Sequence, residues 1–397
     1  MKKEIVMFGG GPANLIAADI LSNIFNVTIY EKEKNIGQKL LVAGKGGFNL
    51  TNKATGELLK AKYTPYSFLE NALDAFDSPK LRDWLNKLGI PTFVGSSGRV
   101  FPEKSIKPIF VLDAIRNRLL SKNVSIHTEH KFISFDKENK PLIEYKNKLK
   151  IISADYYFFG LGGASWSITG SDGKWTKSFN EIGIKTFPFQ PSNCGITIPW
   201  SSHIKKYHLG KPLKNISISI NNSKFIGEAV VTEYGFEGNI IYPMIPIIRN
   251  KLNNGEIVNI KIDFKPFNTK SRLLKKILPK EYTSKDYANI FNLNKIELSL
   301  IKDYTTKTDY LDKQLFVNSI KSLSIPVISL RPIEEAISTI GGIDINELND
   351  NFSLKKYPNI FTIGEMVDWD APTGGFLLQG CFTMGYYSAM SILNSKM

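Results

Sequence analysis

The residue pattern that points most directly to chemistry is a run of glycines close to the start of the chain. Gly9 permits a tight turn after the mainly apolar residues 4–8, and Gly11 allows the backbone to approach a pyrophosphate closely. A helical pattern begins at Pro12, so the first N–H groups and positive dipole end of that helix would face the phosphates. Glu31 follows a second strand pattern, at the spacing of a carboxylate that accepts hydrogen bonds from ribose hydroxyls. The spacing therefore indicates a dinucleotide site.

The glycine motif departs from its usual form at one position. Asn14 stands where a third glycine normally lets helix and strand pack closely. A glycine turn in an unrelated α/β protein is the alternative interpretation, but the strand, turn and helix context together with Glu31 favours nucleotide binding. We therefore expect Asn14 to affect local packing more than nucleotide binding.

A loop over residues 37–52 contains four glycines and two lysines. The backbone N–H groups of such a loop, together with Lys39 or Lys45, can face the anionic oxygens of a bound dinucleotide. The simpler alternative is a flexible glycine loop with solvated lysines. The loop is not a Walker A motif, because neither serine nor threonine follows Lys45.

A second glycine-rich segment lies close to the C-terminus. Glu365 directly follows Gly364 at the end of a strand pattern, where its carboxylate could accept a hydrogen bond from a ribityl hydroxyl. Gly374 and Gly375 precede a helical pattern that begins near Phe376, and a helix N-terminus there would stabilise negative charge on a reduced isoalloxazine ring. The alternative is an ordinary surface turn and helix start. Together with the first glycine motif, this segment predicts FAD as the cofactor.

The elements that would position these residues are separated by a long insertion. Strand and helix patterns at both ends of the chain predict an α/β, Rossmann-type FAD-binding domain, made of residues 1–187 and 336–397. Short β patterns over 188–265 and 322–335 predict an inserted β-rich domain. Lysine-rich helical patterns over 266–321 predict a small helical domain. The FAD-binding domain is therefore expected to be discontinuous in sequence.

The composition is that of a folded globular protein, with 397 residues of which 42% are apolar. A net charge of +14 raises nucleic acid as a partner, but the positive residues are spread along the chain and arginine is scarce beside lysine. We therefore expect no nucleic-acid partner. No apolar run reaches the length that spans a bilayer, and no signal sequence precedes the first strand pattern. The expectation is a cytoplasmic protein without a membrane partner.

The cysteines and histidines argue against disulfide, dithiol and metal chemistry. The two cysteines, Cys194 and Cys381, form no CxxC motif, which disfavours both a disulfide framework and a redox-active dithiol beside the flavin. Cys381 falls in an apolar helical pattern and is expected to be a small core residue. The four histidines lack the spacing of metal ligands, so no metal site is expected.

Six segments resemble the BaiN-like family of bacterial NAD(P)/FAD-dependent oxidoreductases. They are GGGPAN, GQKLLVAGKGGFNLTN, GSSGRVFPEKSIKP, GLGGASWSITGSDG, EYGFEGNIIYP and GEMVDWDAPTGGFLLQGCF, in the family's order over almost the whole chain. The resemblance implies a glutathione-reductase-type FAD domain, an inserted β-rich domain and a small helical domain. The AGKGG and DWDAPTGG forms resemble a subgroup rather than the family's SGGGRCN form, so knowledge of substrates transfers poorly. By these motifs the residues expected to bind FAD are Gly9, Gly11, Pro12, Ala13, Glu31, Lys32, Lys39, Gly44, Lys45, Gly46, Asn49, Gly162, Gly364, Glu365, Gly374, Gly375, Phe376 and Leu377.

The expected reaction is hydride or electron transfer at flavin N5 with an unidentified small molecule. No second glycine motif marks a nicotinamide domain, so NADH or NADPH would be a transient reductant; direct oxidation of a substrate with oxygen as acceptor fits equally well. Arg99 is a candidate for contact with a substrate carboxylate or phosphate. Tyr234 and Tyr242 of the insertion are further candidates, although each also has a structural explanation. No acid–base pair identifies a catalytic residue, and an RNA-modifying flavoprotein or a non-catalytic FAD-binding regulator are the alternatives.

Overall fold

The computed structural model describes residues 2–42, 47–277 and 282–395. It divides into two compact units, a first unit of Met1–Pro191 with Ile333–Met397 and a second unit of Ser192–Pro332. The strands are β1 Glu4–Phe8, β2 Asn26–Tyr30, β3 Thr51–Asn52, β4 Thr92–Val94, β5 Arg99–Pro102, β6 Ser125–His127, β7 Lys131–Phe135, β8 Pro141–Tyr145, β9 Lys148–Ile151, β10 Tyr156–Phe159, β11 Thr186–Ser192, β12 Ile196–Thr197, β13 Pro212–Ile220, β14 Ser223–Val231, β15 Gly235–Glu237, β16 Val258–Asp263, β17 Leu323–Val327, β18 Ser329–Leu330, β19 Ser338–Ile343 and β20 Ile360–Thr362. The helices are α1 Pro12–Leu21, α2 Gln38–Val42, α3 Gly56–Lys60, α4 Glu70–Ala75, α5 Ser78–Lys87, α6 Pro108–Ser121, α7 Thr176–Glu181, α8 Ser202–Tyr207, α9 Ile245–Asn253, α10 Lys270–Leu274, α11 Ser284–Phe291, α12 Lys295–Asp303, α13 Lys307–Leu311, α14 Lys313–Ser322 and α15 Phe376–Asn394.

The first unit is built on a five-stranded parallel sheet in the order β20-β10-β1-β2-β6. Its central strand, β1, pairs in parallel with both β2 and β10. The last four residues of β1 are buried, as in parallel strands that are covered on both faces. The predicted α/β class with a Rossmann-type sheet is confirmed.

Two kinds of element cover this sheet. Helices α1 and α15 pack so closely that a side chain at Gly385 would overlap the carbonyl oxygen of Ala13. The antiparallel sheet β7-β8-β9 lies in the connection between β6 and β10. Phe132 of β7 packs against Phe8 and Phe159, with ring centroids 5.6 and 5.0 Å apart. The chain therefore crosses from β6 to β10 of the parallel sheet through a three-stranded antiparallel sheet.

A smaller antiparallel sheet, in the order β3-β5-β4, carries Arg99 at the start of β5. Asn52 of β3 is the register partner of Arg99. The sheet thereby places an amide and a guanidinium side by side at one edge, next to the segment that precedes α15.

The second unit contains a seven-stranded sheet in the order β17-β16-β13-β14-β15-β12-β18. All of its described strand pairs are antiparallel. Helices α10 to α14 belong to the same compact unit, and Tyr287 of α11 stacks on Phe316 of α14 with ring centroids 3.9 Å apart. The finer division into a β-rich and a separate helical domain stays a prediction. Within the described parts of both units, no helix has the length and apolar character needed to cross a membrane.

Candidate cofactor site

The glycine turn between β1 and α1 is shaped by contact with the end of β10. Gly9 has a φ of +94°, a conformation that favours glycine. A β-carbon at this position would lie 2.5 Å from the carbonyl oxygen of Gly160. The packing of the protein itself therefore requires glycine at Gly9, whether or not a ligand binds.

Gly11 differs from Gly9 because the protein leaves room for a side chain there. Its φ of −84° suits any residue, and it is the N-cap of α1 without a side-chain hydrogen bond to the helix. A β-carbon at Gly11 would meet only the Gly160 oxygen, at an ordinary contact distance of 3.7 Å. Gly11 also lines a cleft in the first unit, and a β-carbon at Gly11 would occupy part of that cleft. The backbone is thus open for close approach by a pyrophosphate, as the motif predicts.

Glu31 stands at the end of β2 and holds the glycine turn in place. Its carboxylate accepts hydrogen bonds from the N–H groups of Gly10, at 2.6 Å, and Glu33, at 2.9 Å. Burial raises the pKa of Glu31, while these two N–H donors lower it. Each carboxylate oxygen keeps a second lone pair for a ribose hydroxyl, so the side chain fits its predicted role.

Asn14 explains the irregular glycine motif. Its side chain is fully buried and donates from Nδ2 to the carbonyl oxygens of Phe8, at 2.9 Å, and Gly9, at 2.8 Å. The amide therefore satisfies two acceptors where strand β1 ends. The expectation that Asn14 acts on local packing agrees with these contacts.

The cleft collects residues from the two ends of the chain and from the middle. Of the residues predicted to bind FAD, those that line it are Gly9, Gly11, Pro12, Ala13, Glu31, Lys32, Lys39, Gly162, Gly364 and Glu365. Gly44, Lys45 and Gly46 lie outside the described residues. Their roles stay predictions.

The loop after β10 supplies lining residues that the sequence interpretation missed. Ser171, Asp172 and Trp175 line the cleft, whereas only Gly162 of this loop was proposed. The segment GLGGASWSITGSDG carried the signal, since its glycines mark close backbone approach. Trp175 donates from Nε1 to the Gly162 carbonyl at 3.0 Å, and this hydrogen bond joins the beginning of the loop to its end.

Two predicted cofactor-binding lysines form ion pairs with carboxylates. Lys39 Nζ lies 2.7 Å from Glu365 Oε2, and Lys32 Nζ lies 2.9 Å from Asp172 Oδ2. In this structure Lys39 therefore contacts Glu365, which was itself predicted to meet a ribityl hydroxyl. The side chains of both pairs are only partly exposed.

Cys381 of α15 also lines the cleft, a position that sequence analysis assigned only to the core. The residue is buried, as expected. Burial raises the pKa of the thiol far above its usual range, so it is neutral at physiological pH.

The N-terminus of α15 begins at Gly375, beside the small sheet. Gly375 has a φ of +97°, and a side chain there would overlap the carbonyl oxygen of Thr51. Asn52 donates from Nδ2 to the Gly374 carbonyl at 3.1 Å. The Asn49 amide lies beside Gly375, and in the orientation that satisfies its neighbours its oxygen accepts from the Gly375 N–H at 2.5 Å. Phe376 and Leu377 form the first turn of this helix.

Arg99 lies against this helix start. Its Nε is 3.7 Å from the position that a β-carbon of Gly374 would take. The guanidinium is partly buried and forms no ion pair with any residue in the described ranges. Within those ranges, a cation without an ion-pair partner therefore lies at the positive end of a 19-residue helix, an arrangement that attracts negative charge.

The two candidate tyrosines belong to the second unit. The Tyr234 hydroxyl donates to Glu237 Oε2 at 2.5 Å, and the Arg331 guanidinium lies 4.0 Å from the Tyr234 ring centroid. Burial raises the pKa of Tyr242, which begins a short 3₁₀ turn. Contact of either tyrosine with a substrate stays a prediction. In the parts of the chain that the structure describes, no three histidine, cysteine or acidic side chains are grouped to hold a metal ion.

Three features define the class of the protein: a glycine turn between strand and helix, an acid at the end of the second strand, and a C-terminal helix that packs on α1. They are those of a dinucleotide-binding flavoprotein of the glutathione-reductase type. The chain belongs to the HI0933-like family, whose Rossmann domain matches residues 3–391. The resemblance to BaiN-like proteins is thereby confirmed, and the protein is a flavin-dependent oxidoreductase.

Two relatives match nearly the full chain. The 3-dehydro-bile acid delta(4,6)-reductase of Clostridium scindens is 22% identical over 401 residues, covering 96% of this chain and 97% of the relative. The ribosomal RNA dihydrouridine synthase of Escherichia coli is 21% identical over 410 residues, covering 99% and 98%.

Solved structures show the same fold. The 3-ketosteroid delta1-dehydrogenase of Sterolibacterium denitrificans aligns with a TM-score of 0.53 at 13% identity, covering 99% of both chains. The 3-ketosteroid-delta4-(5alpha)-dehydrogenase of Rhodococcus jostii aligns with a TM-score of 0.50 at 13% identity, covering 98% of this chain and 97% of that one.

Proposed function

We propose that this protein is an FAD-dependent reductase that saturates a carbon–carbon double bond conjugated to a carbonyl group. The support comes from the two relatives that span the chain, since the name of each denotes reduction of such a bond, in a 3-oxo bile acid and in uridine. Their substrates differ greatly in size and charge, whereas the bond reduced is of the same kind. The reaction class therefore carries over more readily than the substrate.

The cofactor would be held by the residues that line the cleft. Gly11 and the N-terminus of α1 suit the pyrophosphate, Glu31 suits a ribose, and Gly364 with Glu365 suits the ring end. The predicted residues at the N-terminus of α15, from Gly374 to Leu377, are not among those that line this cleft, and their contact with the ring stays a prediction. When bound and reduced by the nicotinamide, the flavin would supply a hydride from its N5 atom and return to the oxidised form. The chain's own residues must then bind the substrate and stabilise the charge that develops on it.

The observation that carries this proposal is the Arg99 guanidinium beside Gly374, which forms no ion pair with any described residue. Addition of a hydride to the β-carbon of a conjugated system moves an electron pair onto the carbonyl oxygen. A preorganised cation next to that oxygen stabilises the resulting enolate. A proton then adds to the α-carbon, which completes the saturated product. Arg99 is placed and charged for the oxygen-binding role, while the proton donor has no assigned residue.

The electron donor is proposed to be NADH or NADPH, which binds transiently because the chain has one dinucleotide motif. Anaerobic addition of either nicotinamide to the FAD-loaded protein should bleach the flavin absorbance. Admission of air then measures whether oxygen accepts the electrons. An oxidase would instead be reduced by its substrate and reoxidised by air.

The first substrate candidate is a small apolar enone. The anaerobically reduced protein is mixed with 2-cyclohexen-1-one or with 4-androstene-3,17-dione, and return of the oxidised flavin spectrum is followed. The account predicts reoxidation by an enone, with the saturated ketone as product by mass spectrometry. If neither enone reoxidises the reduced flavin, the result would count against a small enone as substrate.

Uridine in RNA is the second candidate, because one relative is a ribosomal RNA dihydrouridine synthase and the net charge of +14 is compatible with an RNA substrate. A basic protein gains affinity for RNA by releasing the counterions of the phosphates. Unmodified ribosomal RNA transcripts are incubated with the protein and reductant, and their nucleosides are analysed for dihydrouridine. A positive result would revise the expectation that nucleic acid is not a partner. A non-catalytic regulator would hold FAD but turn over neither substrate.

A further inference from the structure

The Lys39 ammonium is fully engaged by neighbouring groups inside the cofactor cleft. Besides Glu365 Oε2 at 2.7 Å, it donates to Ser165 Oγ at 3.0 Å and to Ser171 Oγ at 3.5 Å. The Ser165 side chain is fully buried, and Ser171 is nearly so. An ammonium group has three N–H donors, and three acceptors surround this one. Lys39 therefore has no donor to spare for a phosphate oxygen without giving up a partner.

Glu365 places a carboxylate in the same cleft as the backbone groups expected to face a pyrophosphate. Asp172, another acid of this cleft, is paired with Lys32, and Glu31 accepts two backbone N–H groups. The backbone of Gly11 and the start of α1 line the same cleft as Glu365. Only 14% of the Glu365 side chain is exposed, so water screens its charge weakly. Without a nearby cation this carboxylate would repel a pyrophosphate that enters the cleft.

We propose that Lys39 assists cofactor binding by compensating the charge of Glu365, rather than by contacting the phosphates directly. The ammonium cancels the carboxylate's charge and orients its second oxygen toward the cofactor. Lys39 is thus a positioning residue that acts through Glu365. This inference rests on the proposed function, because it requires FAD in the cleft.

A double-mutant cycle on FAD affinity distinguishes compensation of the Glu365 charge by Lys39 from direct contact of Lys39 with the phosphates. Apo-protein is titrated into FAD, and the dissociation constant is taken from flavin fluorescence for the wild type, Lys39→Met, Glu365→Gln and the double variant. Charge compensation predicts that Lys39→Met weakens FAD binding roughly 10- to 100-fold and that adding Glu365→Gln restores most of the loss. The defect of Lys39→Met should also shrink as salt is added, since salt screens the repulsion.

Direct phosphate contact predicts a different pattern. The double variant would then bind FAD no better than Lys39→Met, because removal of Glu365's charge cannot replace a lost ligand. That result, with wild-type protein binding FAD normally, overturns the inference and leaves the proposed function standing. Failure of the wild type to bind FAD would instead contradict the proposed function.

A second ion pair in the first unit provides a matched control. Lys185 Nζ lies 2.8 Å from Asp344 Oδ2, whose side chain is only 4% exposed, and neither residue lines the cleft. Lys185→Met, alone or with Asp344→Asn, should change the FAD dissociation constant less than about twofold. Lys39→Arg keeps the charge and should retain FAD binding. Thermal unfolding without FAD identifies any variant that fails to fold.

Discussion

The carbonyl oxygen of Gly160 lies 2.5 Å from the position that a β-carbon of Gly9 would occupy, but 3.7 Å from the corresponding position at Gly11. Two neighbouring glycines of one motif are therefore required for different reasons. Gly9 is needed by the folded protein, whereas Gly11 keeps cleft space open.

Alanine substitutions should separate these two requirements. Gly11→Ala is expected to lower the unfolding temperature of the apo-protein only slightly, because alanine is a poorer N-cap than glycine but φ is −84° and the added methyl group has room. The same substitution should weaken FAD binding by roughly 30-fold or more, an order of magnitude typical of lost close approach. Gly9→Ala should cost about 1–3 kcal/mol of stability through backbone strain alone. Thermal unfolding and FAD titration measure both effects; tight FAD binding by Gly11→Ala would contradict this reading of the cleft.

Restoring the usual glycine at Asn14 should weaken the protein rather than improve it. Asn14→Gly removes the donor to the Gly9 carbonyl oxygen, and an acceptor left without a partner there costs about 1–3 kcal/mol. The Phe8 carbonyl oxygen also loses the Asn14 donor but keeps the Gly160 N–H at 2.9 Å. Asn14→Ala serves as control, because it removes the same donors while keeping a good helix former. Urea unfolding of the three proteins compares them. A glycine variant as stable as the wild type would show that these hydrogen bonds contribute little.

The Asp19 carboxylate should make stability depend on pH. Burial alone would raise the pKa of Asp19, but the hydrogen bonds from Lys122, Trp84 and Arg118 outweigh it and lower the pKa below its usual value. A lowered pKa in the folded state means that the stabilisation is present above the unfolded pKa of 3.8 and is lost as the pH falls through the folded value.

The variant Asp19→Asn tests this expectation. It should lower the free energy of unfolding by about 2 kcal/mol near neutral pH, and the difference from wild type should shrink in acid. Urea unfolding at several pH values gives both quantities. Trp84→Phe, which loses one N–H donor at 2.9 Å, should show a smaller effect. An acid-independent difference between Asp19→Asn and wild type would argue against the carboxylate's charge as the cause.

Arg99 should affect catalysis more than cofactor affinity. Arg99→Gln is expected to lower kcat/KM by roughly 100-fold, the usual scale for loss of a donor to a developing oxyanion. The FAD dissociation constant should change by less than about threefold. Lys53→Gln is the control, since it removes one positive charge from a nearby exposed side chain. Steady-state kinetics with an enone measure kcat/KM of both variants. If both lose the same fraction of kcat/KM, the effect of Arg99 comes from its general positive charge and not from contact with the substrate oxygen.

The sequence was most informative where the site is built from neighbours along the chain. The turn at Gly9 and Gly11, the helix after it and Glu31 at the end of β2 follow from local spacing, and the structure places all of them on one cleft. The helix that begins at Phe376 also starts where the glycine pair predicts.

Contacts between distant segments could not be predicted in this way. Lys39 and Glu365 are 326 residues apart, and Lys32 and Asp172 are 140 residues apart. From their neighbours in the sequence, Lys32, Lys39 and Glu365 were each predicted to bind the cofactor, and Asp172 was not predicted at all. The charges meet because the fold brings together the segment after β2, helix α2, the loop after β10 and the turn after β20. The lack of an ion pair between Arg99 and any described carboxylate likewise depends on which acids the fold places beyond its reach.

The most direct test of the account is an anaerobic titration of the FAD-loaded protein with NADPH and NADH, followed by addition of an enone. We predict that one nicotinamide bleaches the flavin absorbance and that the enone restores it without oxygen. A protein that retains FAD but is reduced by neither nicotinamide would contradict the proposed reductase.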